Sequence, residues 1–216
     1  EGYGITETSP VLSVNLPNRV EADAPGGVWM GSSLGSVGRP VIGVAVRFRS
    51  VDTGELLNPG QTGLLEVRGA NVFTQYLGDP KRTAEVLCEG WYRTGDLAWM
   101  DEAGFLYLAG RLSRFSKIGG EMVPHGVIEQ AIMNYLSIDA SGETIIAVSS
   151  KSDATKGEQL VVLHTMDLDA EAIKVALLSA GLPQLWIPKL FKKVRAVPIL
   201  GTGKLDLRKI KELAEG

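Results

Sequence analysis

Cysteine is nearly absent from this 216-residue chain. Cys88 is the only one, so no internal disulfide can form and a reducing compartment is expected. Histidine is almost as scarce. His125 and His164 have no cysteine or carboxylate at ligand spacing, which favours structural roles over metal binding. No apolar run reaches transmembrane length, and Glu1 begins no signal peptide. An excess of positive charge is missing too: the net charge is -3, which argues against a nucleic-acid binder that works through phosphate contacts. The missing initiator methionine points to a piece of something longer. What is present is the composition of a packed protein, with 44% hydrophobic and 22% charged residues.

The stretch from Tyr92 to Glu121 concentrates the chemistry. Thr94-Gly95-Asp96 reads as a turn carrying an acid, Phe105 to Leu108 as a short strand, and Gly110-Arg111 as a turn carrying an arginine. Lys117 to Glu121 follows as a basic, glycine-containing loop. A carboxylate accepts hydrogen bonds from vicinal hydroxyls and a guanidinium meets oxyanions with a planar fork, so the pair suits a nucleotide. Earlier in the chain, Tyr3–Pro10 is a turn of glycine and hydroxyls with one acid. There Thr6 can touch a phosphate and Glu7 can hold Mg²⁺; the plainer reading is a polar loop. Gly31 to Gly38 is a glycine-serine loop without the trailing Lys-Ser/Thr of a P-loop.

Short extended segments separated by Gly and Pro turns, such as Val44 to Phe48 and Gly63 to Arg68, run to about Leu108. They predict a small β-barrel or sandwich-like subdomain. After Arg111 the pattern changes. Val127, Ile128, Ala131, Ile132, Tyr135 and Leu136 recur at helical spacing. Thr144 to Val148 and Leu160 to His164 read as strands around a polar turn, Lys151–Glu158. Ala170 to Ala180 reads as a helix with Asp169 as N-cap and Gly181 as its stop. Phe191 to Val197 reads as a third strand, and Asp206 caps a last helix. The fold class is α+β: residues 1–111 form a β-rich subdomain and residues 112–216 a compact α+β unit. Lys204 sits on the Gly-Thr-Gly tip before that last helix. A lysine on a glycine turn is ordinarily just solvated.

Six stretches taken together carry more. Y-G-I-T-E-T-S-P, G-S-V-G-R-P, Y-R-T-G-D-L, L-A-G-R, K-I-G-G-E and L-G-T-G-K-L-D, in that order, resemble the signatures of the adenylate-forming superfamily of acyl-CoA synthetases, luciferases and adenylation domains. Within it, Lys117–Pro124, Lys151–Glu158 and Gly181–Lys209 look closest to the bacterial bifunctional acyl-[acyl-carrier-protein] synthetase/2-acylglycerophosphoethanolamine acyltransferase. The resemblance implies ATP and Mg²⁺ as cofactors, a fatty acid as substrate and a phosphopantetheine thiol of acyl-carrier protein or CoA as acceptor. It also implies a missing N-terminal part as partner, a lysophospholipid as a further acceptor, and a place in the cytoplasm or on the cytoplasmic face of the inner membrane.

Residue by residue, the resemblance has Tyr3 stack on adenine, Thr6 contact the α-phosphate and Glu7 coordinate Mg²⁺. Asp96 would bind the ribose hydroxyls with Arg111 beside it. Lys204 would bridge the acyl carboxylate and the α-phosphate. Gly119 and Gly120 would line the thiol's passage, Lys117 would be a further cofactor-binding residue, and Leu112 to Arg114 would be a hinge carrying a mobile second domain. Ser113 departs from the Asp or Lys usual at that hinge. Two other readings stay open: an acyl-CoA synthetase of the same superfamily, and a non-catalytic nucleotide-binding or interaction module. Lys189, Lys192, Lys193 and Arg195 form a basic stripe, either a solvated face or a surface for an acidic carrier. The four tryptophans are assigned to packing.

Overall fold

Glycine and proline cut the first hundred residues into short extended runs, and the chain folds accordingly. The computed structural model describes residues 1–21, 23, 25–138 and 144–216. They form two compact units, Glu1–Leu112 and Ser113–Gly216.

In the first unit, β1 (Gly2–Gly4), β2 (Val11–Val14), β3 (Arg19–Val20), β4 (Val28–Trp29) and β5 (Arg39–Pro40) are short. Strands β1, β2 and β5 make a three-stranded sheet, and β3 pairs with β4. The larger sheet uses β6 (Val44–Arg49), β7 (Gly63–Gly69), β9 (Trp91–Met100) and β10 (Leu106–Arg111), in the order β10-β9-β7-β6. A short β8 (Leu87–Cys88) pairs with β9 after the helix α1 (Pro80–Val86). The sheet stays open at β6 and β10, half of a barrel rather than a closed one. Alternation sends Phe48, Leu65, Val67 and Tyr92 into a core shared with Leu12, Ala98 and Leu106.

The sequence pattern is corrected at the centre of this sheet. Thr94-Gly95-Asp96 is no turn; it lies inside the ten-residue strand β9. Leu64 faces Leu97 while Glu66 faces Arg93, so Thr94, Gly95 and Asp96 together oppose Leu65 alone. This bulge needs a positive φ, which Gly95 supplies at 78°. The Thr94 hydroxyl fills the gap by donating to the Leu65 carbonyl at 3.0 Å. Gly110-Arg111 is likewise the end of β10 and not a turn, with a second irregularity between Leu108 and Gly110. Backbone pairing on both sides of β9 overrides the local turn chemistry.

The second unit builds a sheet in the order β12-β11-β14-β13, from β11 (Phe115–Ile118), β12 (Glu121–Pro124), β13 (Ile146–Asp153) and β14 (Gly157–His164). A further strand, β15 (Leu190–Lys193), lies parallel to β14. Helices α2 (His125–Tyr135) and α3 (Ala170–Ser179) share one core with Val148, Leu160 and Val162. On the other side, α4 (Leu207–Glu215) puts Ile210 and Ala214 against Ala147, Val161 and Leu163. Asp169 and Asp206 cap α3 and α4 through their carboxylates, and Gly181 ends the third helix at φ 84°.

Three boundaries differ from the pattern. The polar segment Lys151–Glu158 is mostly strand, and its turn is only the few residues that the Asp153 carboxylate gathers, accepting from Thr155 N and Lys156 N at 2.9 Å each. The third strand stops at Lys193, short of Val197. Helix α2 buries His125, Ile128, Glu129 and Ile132, while Val127 and Tyr135 are about half exposed. Hydrophobicity misjudged that face because Glu129 is satisfied inside it: it pairs with Arg114 and accepts from Val148 N at 2.6 Å.

Candidate functional site

The register of β9 against β10 sets Asp96 opposite Arg111. The Arg111 Nε donates to Asp96 Oδ1 at 2.8 Å. From the other side the Tyr3 hydroxyl donates to Asp96 Oδ2. Asp96 is thus a buried carboxylate held by two donors, with a guanidinium more than half exposed beside it. Each carboxylate oxygen has two acceptor positions, so these two donors leave one on each oxygen unfilled. Burial and the hydrogen bond to Asp96 push the Tyr3 phenol far above its usual range, so it remains a donor. A cavity of about 300 Å³ runs along β1 and β2 and is lined by Tyr3, Gly4, Pro10 and Val11.

Thr6, Glu7 and Thr8 form a 3-10 turn directly after β1. Thr8, which the sequence did not single out, is the buried one; its hydroxyl donates to Pro10 O at 2.8 Å and holds the turn. Thr6 is exposed, so its hydroxyl is open to a ligand. The Glu7 carboxylate accepts from the Tyr76 hydroxyl at 2.7 Å through one oxygen, and the other has no partner among the described residues. One free carboxylate oxygen fits a Mg²⁺ whose remaining ligands are phosphate oxygens and water, and no cluster of three or more candidate metal ligands occurs among the described residues. Tyr76 and Tyr92 complete this corner, with Phe73 packed against both rings. Burial, then the neighbouring Tyr76 hydroxyl and the Glu7 charge, raises the Tyr92 phenol. Tyr92 opens the Y-R-T-G-D-L motif, whereas nothing in the sequence marks Tyr76, and tertiary contact alone brings it to Glu7.

The other assigned residues lie in the second unit, on two separate elements. Gly119 and Gly120 are the two-residue turn of the β11–β12 hairpin, with φ of 57° and 91°. Lys117 stands on β11, its N–H donating to Glu158 Oε2 at 2.7 Å. Lys204 follows the exposed turn Gly201–Gly203, which is closed by Leu200 N donating to Lys204 O at 2.7 Å. The Lys204 ammonium has no partner among the described residues.

A sequence model of the AMP-binding enzymes matches residues 1–77. A long-chain-fatty-acid–CoA ligase of Bacillus subtilis (strain 168) is 31% identical over 98% of this chain and 36% of its own length. The family matched is that of the AMP-binding enzymes. The mitochondrial medium-chain acyl-CoA ligase ACSF2 of Mus musculus is 30% identical over 99% of the chain and 33% of its own length. Among solved structures, the ATP-bound MatB of Rhodopseudomonas palustris superimposes with a TM-score of 0.69 at 27% identity, over 98% of this chain and 39% of that one. The chain therefore spans 33–39% of the length of these proteins.

Two sequence readings change against the structure. The basic stripe is not continuous. Lys192 and Lys193 are neighbours on β15 and so point to opposite faces. Lys192 is half-buried and donates to Leu213 O at 2.9 Å, while Lys193 pairs with Asp167 at 2.5 Å. The tryptophans do more than pack: Trp91 carries Arg47 over its ring at 4.1 Å and Arg68 at 4.8 Å. His125 is buried against Ser116 at 2.7 Å, and His164 binds Met166 O at 2.7 Å. Cys88 is a free, exposed thiol.

Proposed function

We propose that this chain is the C-terminal part of an ATP-dependent ligase that activates a fatty acid as its acyl-adenylate and passes the acyl group to a thiol. The observation that carries the reading is Asp96, a buried carboxylate inside β9 that is held between Arg111, at the end of β10, and Tyr3. Its free acceptor positions suit the vicinal hydroxyls of a ribose, and Arg111 suits the adjoining phosphate. Glu7 would hold Mg²⁺ and Thr6 a phosphate oxygen. Lys204 would meet the acyl carboxylate and the α-phosphate as negative charge gathers there, and a donor aimed at that charge favours the transition state over the ground state. Mg²⁺, when bound, neutralises phosphate charge.

CoA is the acceptor the reading favours, because the relatives on which it rests are CoA ligases. Delivery to acyl-carrier protein, and onward to a lysophospholipid, rests on the likeness of Lys117–Pro124, Lys151–Glu158 and Gly181–Lys209 alone. Calorimetric titration with AMP tests the nucleotide site: binding by this chain is expected near millimolar, about 4 kcal/mol. Asp96→Ala should weaken it at least about tenfold, the loss of one charged hydrogen-bond acceptor. Equal binding by both proteins would reject the site. In a full-length ligase carrying this chain, acyl transfer to CoA faster than to carrier protein decides the acceptor.

A further inference from the structure

The outer face of the β6–β7–β9 sheet carries an array that the ligase reading does not use. Arg47 and Arg49 stand on β6, Glu66 and Arg68 on β7, and Trp91 and Arg93 on β9. Register sets Arg47 opposite Glu66 and Glu66 opposite Arg93. The Glu66 carboxylate is 1% exposed and takes three guanidiniums, from Arg47 at 2.6 Å, Arg49 at 3.0 Å and Arg93 at 3.1 Å. Burial alone would raise its pKa, but those hydrogen bonds outweigh it and hold the carboxyl below its usual value. Each arginine engages through Nε. That leaves the terminal forks of Arg47 and Arg93 with no hydrogen-bond partner among the described residues, and Arg68 is exposed with its guanidinium over the Trp91 ring. Four arginines face one glutamate, a local excess of three positive charges on a chain whose net charge is -3.

We propose that this face docks an acidic protein segment, a helix presenting several carboxylates. A guanidinium fixed through Nε offers its remaining fork to a second oxyanion in bidentate geometry. The grid spacing, about 4.8 Å between strands and about 6.8 Å along them, matches carboxylates three and four residues apart on a helix, about 5–6 Å apart. Trp91 decides against two rival partners. Arg47 and Arg68 sit over its ring at 4.1 Å and 4.8 Å, so a nucleic-acid base or a lipid tail must displace a guanidinium to reach it.

Fluorescence polarisation with a labelled helical peptide bearing Glu at i, i+4 and i+7 tests the proposal. Inorganic phosphate and phosphatidylglycerol vesicles are run as separate arms. The Glu peptide should bind and its Gln counterpart should not, and salt near 1 M should abolish binding, since screening then acts within about 3 Å. Arg68→Glu, which leaves Glu66 untouched, should weaken binding about tenfold. Arg93→Gln removes one fork while Glu66 keeps Arg47 and Arg49, and should weaken it by a few-fold. Absence of peptide binding, equal binding of the Gln peptide, indifference to Arg68→Glu, or a preference for vesicles or phosphate would each overturn the proposal.

Discussion

Acid should unfold the second unit through His125 before it touches any carboxylate there. The imidazole is 4% exposed, and burial, helped by the Arg114 charge, lowers its pKa from 6.5 to about 4. Glu158 opposes this and Lys211 reinforces it. A histidine held neutral in the fold binds its proton more readily once unfolded. The His125 contribution is therefore full above pH 6.5, falls as the pH drops toward 4, and is flat below that. Each pH unit in the window costs about 1.4 kcal/mol, or about 3 kcal/mol across it, a large part of the stability of a small domain. Glu158 and Asp167, whose pKa values are held low by their hydrogen bonds, begin to act only at the foot of this window, from their ordinary values of 4.5 and 3.8 downward. The assay is urea unfolding by circular dichroism at pH 7, 5.5 and 4.5, beside an NMR titration of the two histidines. His125→Gln, neutral at every pH, should lose about 1–2 kcal/mol at pH 7 by disturbing the Ser116 contact, yet show a flattened slope between pH 6.5 and 4.5. A His125 signal titrating near 6.5, or an undiminished slope in the variant, would refute the reasoning.

Other expectations are simpler. Gly38→Ala should prevent folding of the first unit or lower its melting temperature by many degrees, because Gly38 has φ 85° and a Cβ there would lie 1.9 Å from the Val14 carbonyl carbon; thermal unfolding checks this. Asp206→Ala should cost about 1 kcal/mol through loss of the cap on α4, read by the same measurement. In a full-length ligase carrying this chain, Lys204→Ala should slow acyl-adenylate formation about 10²–10³-fold and leave transfer from supplied acyl-adenylate largely intact. Single-turnover assays of each half-reaction separate the two, and equal losses would contradict the split role.

Much of the chain was legible from residue order because its information is local. The caps Asp169 and Asp206 and the stop at Gly181 each depend on a few neighbouring residues. Six ordered motifs likewise carried the family resemblance without any contact being known. Tertiary structure decided whatever depends on pairing. Whether Thr94-Gly95-Asp96 turns or bulges is set by β7 and β10, strands that lie outside the motif. Nothing in the sequence marks Glu129 or Glu66 for burial, and each is buried because arginines or backbone donors from other elements satisfy it. The joining of Tyr3 to Asp96, 93 positions apart, follows no spacing rule. Local chemistry fixes turns and caps, whereas a buried charge declares itself only when its partners arrive from elsewhere in the chain.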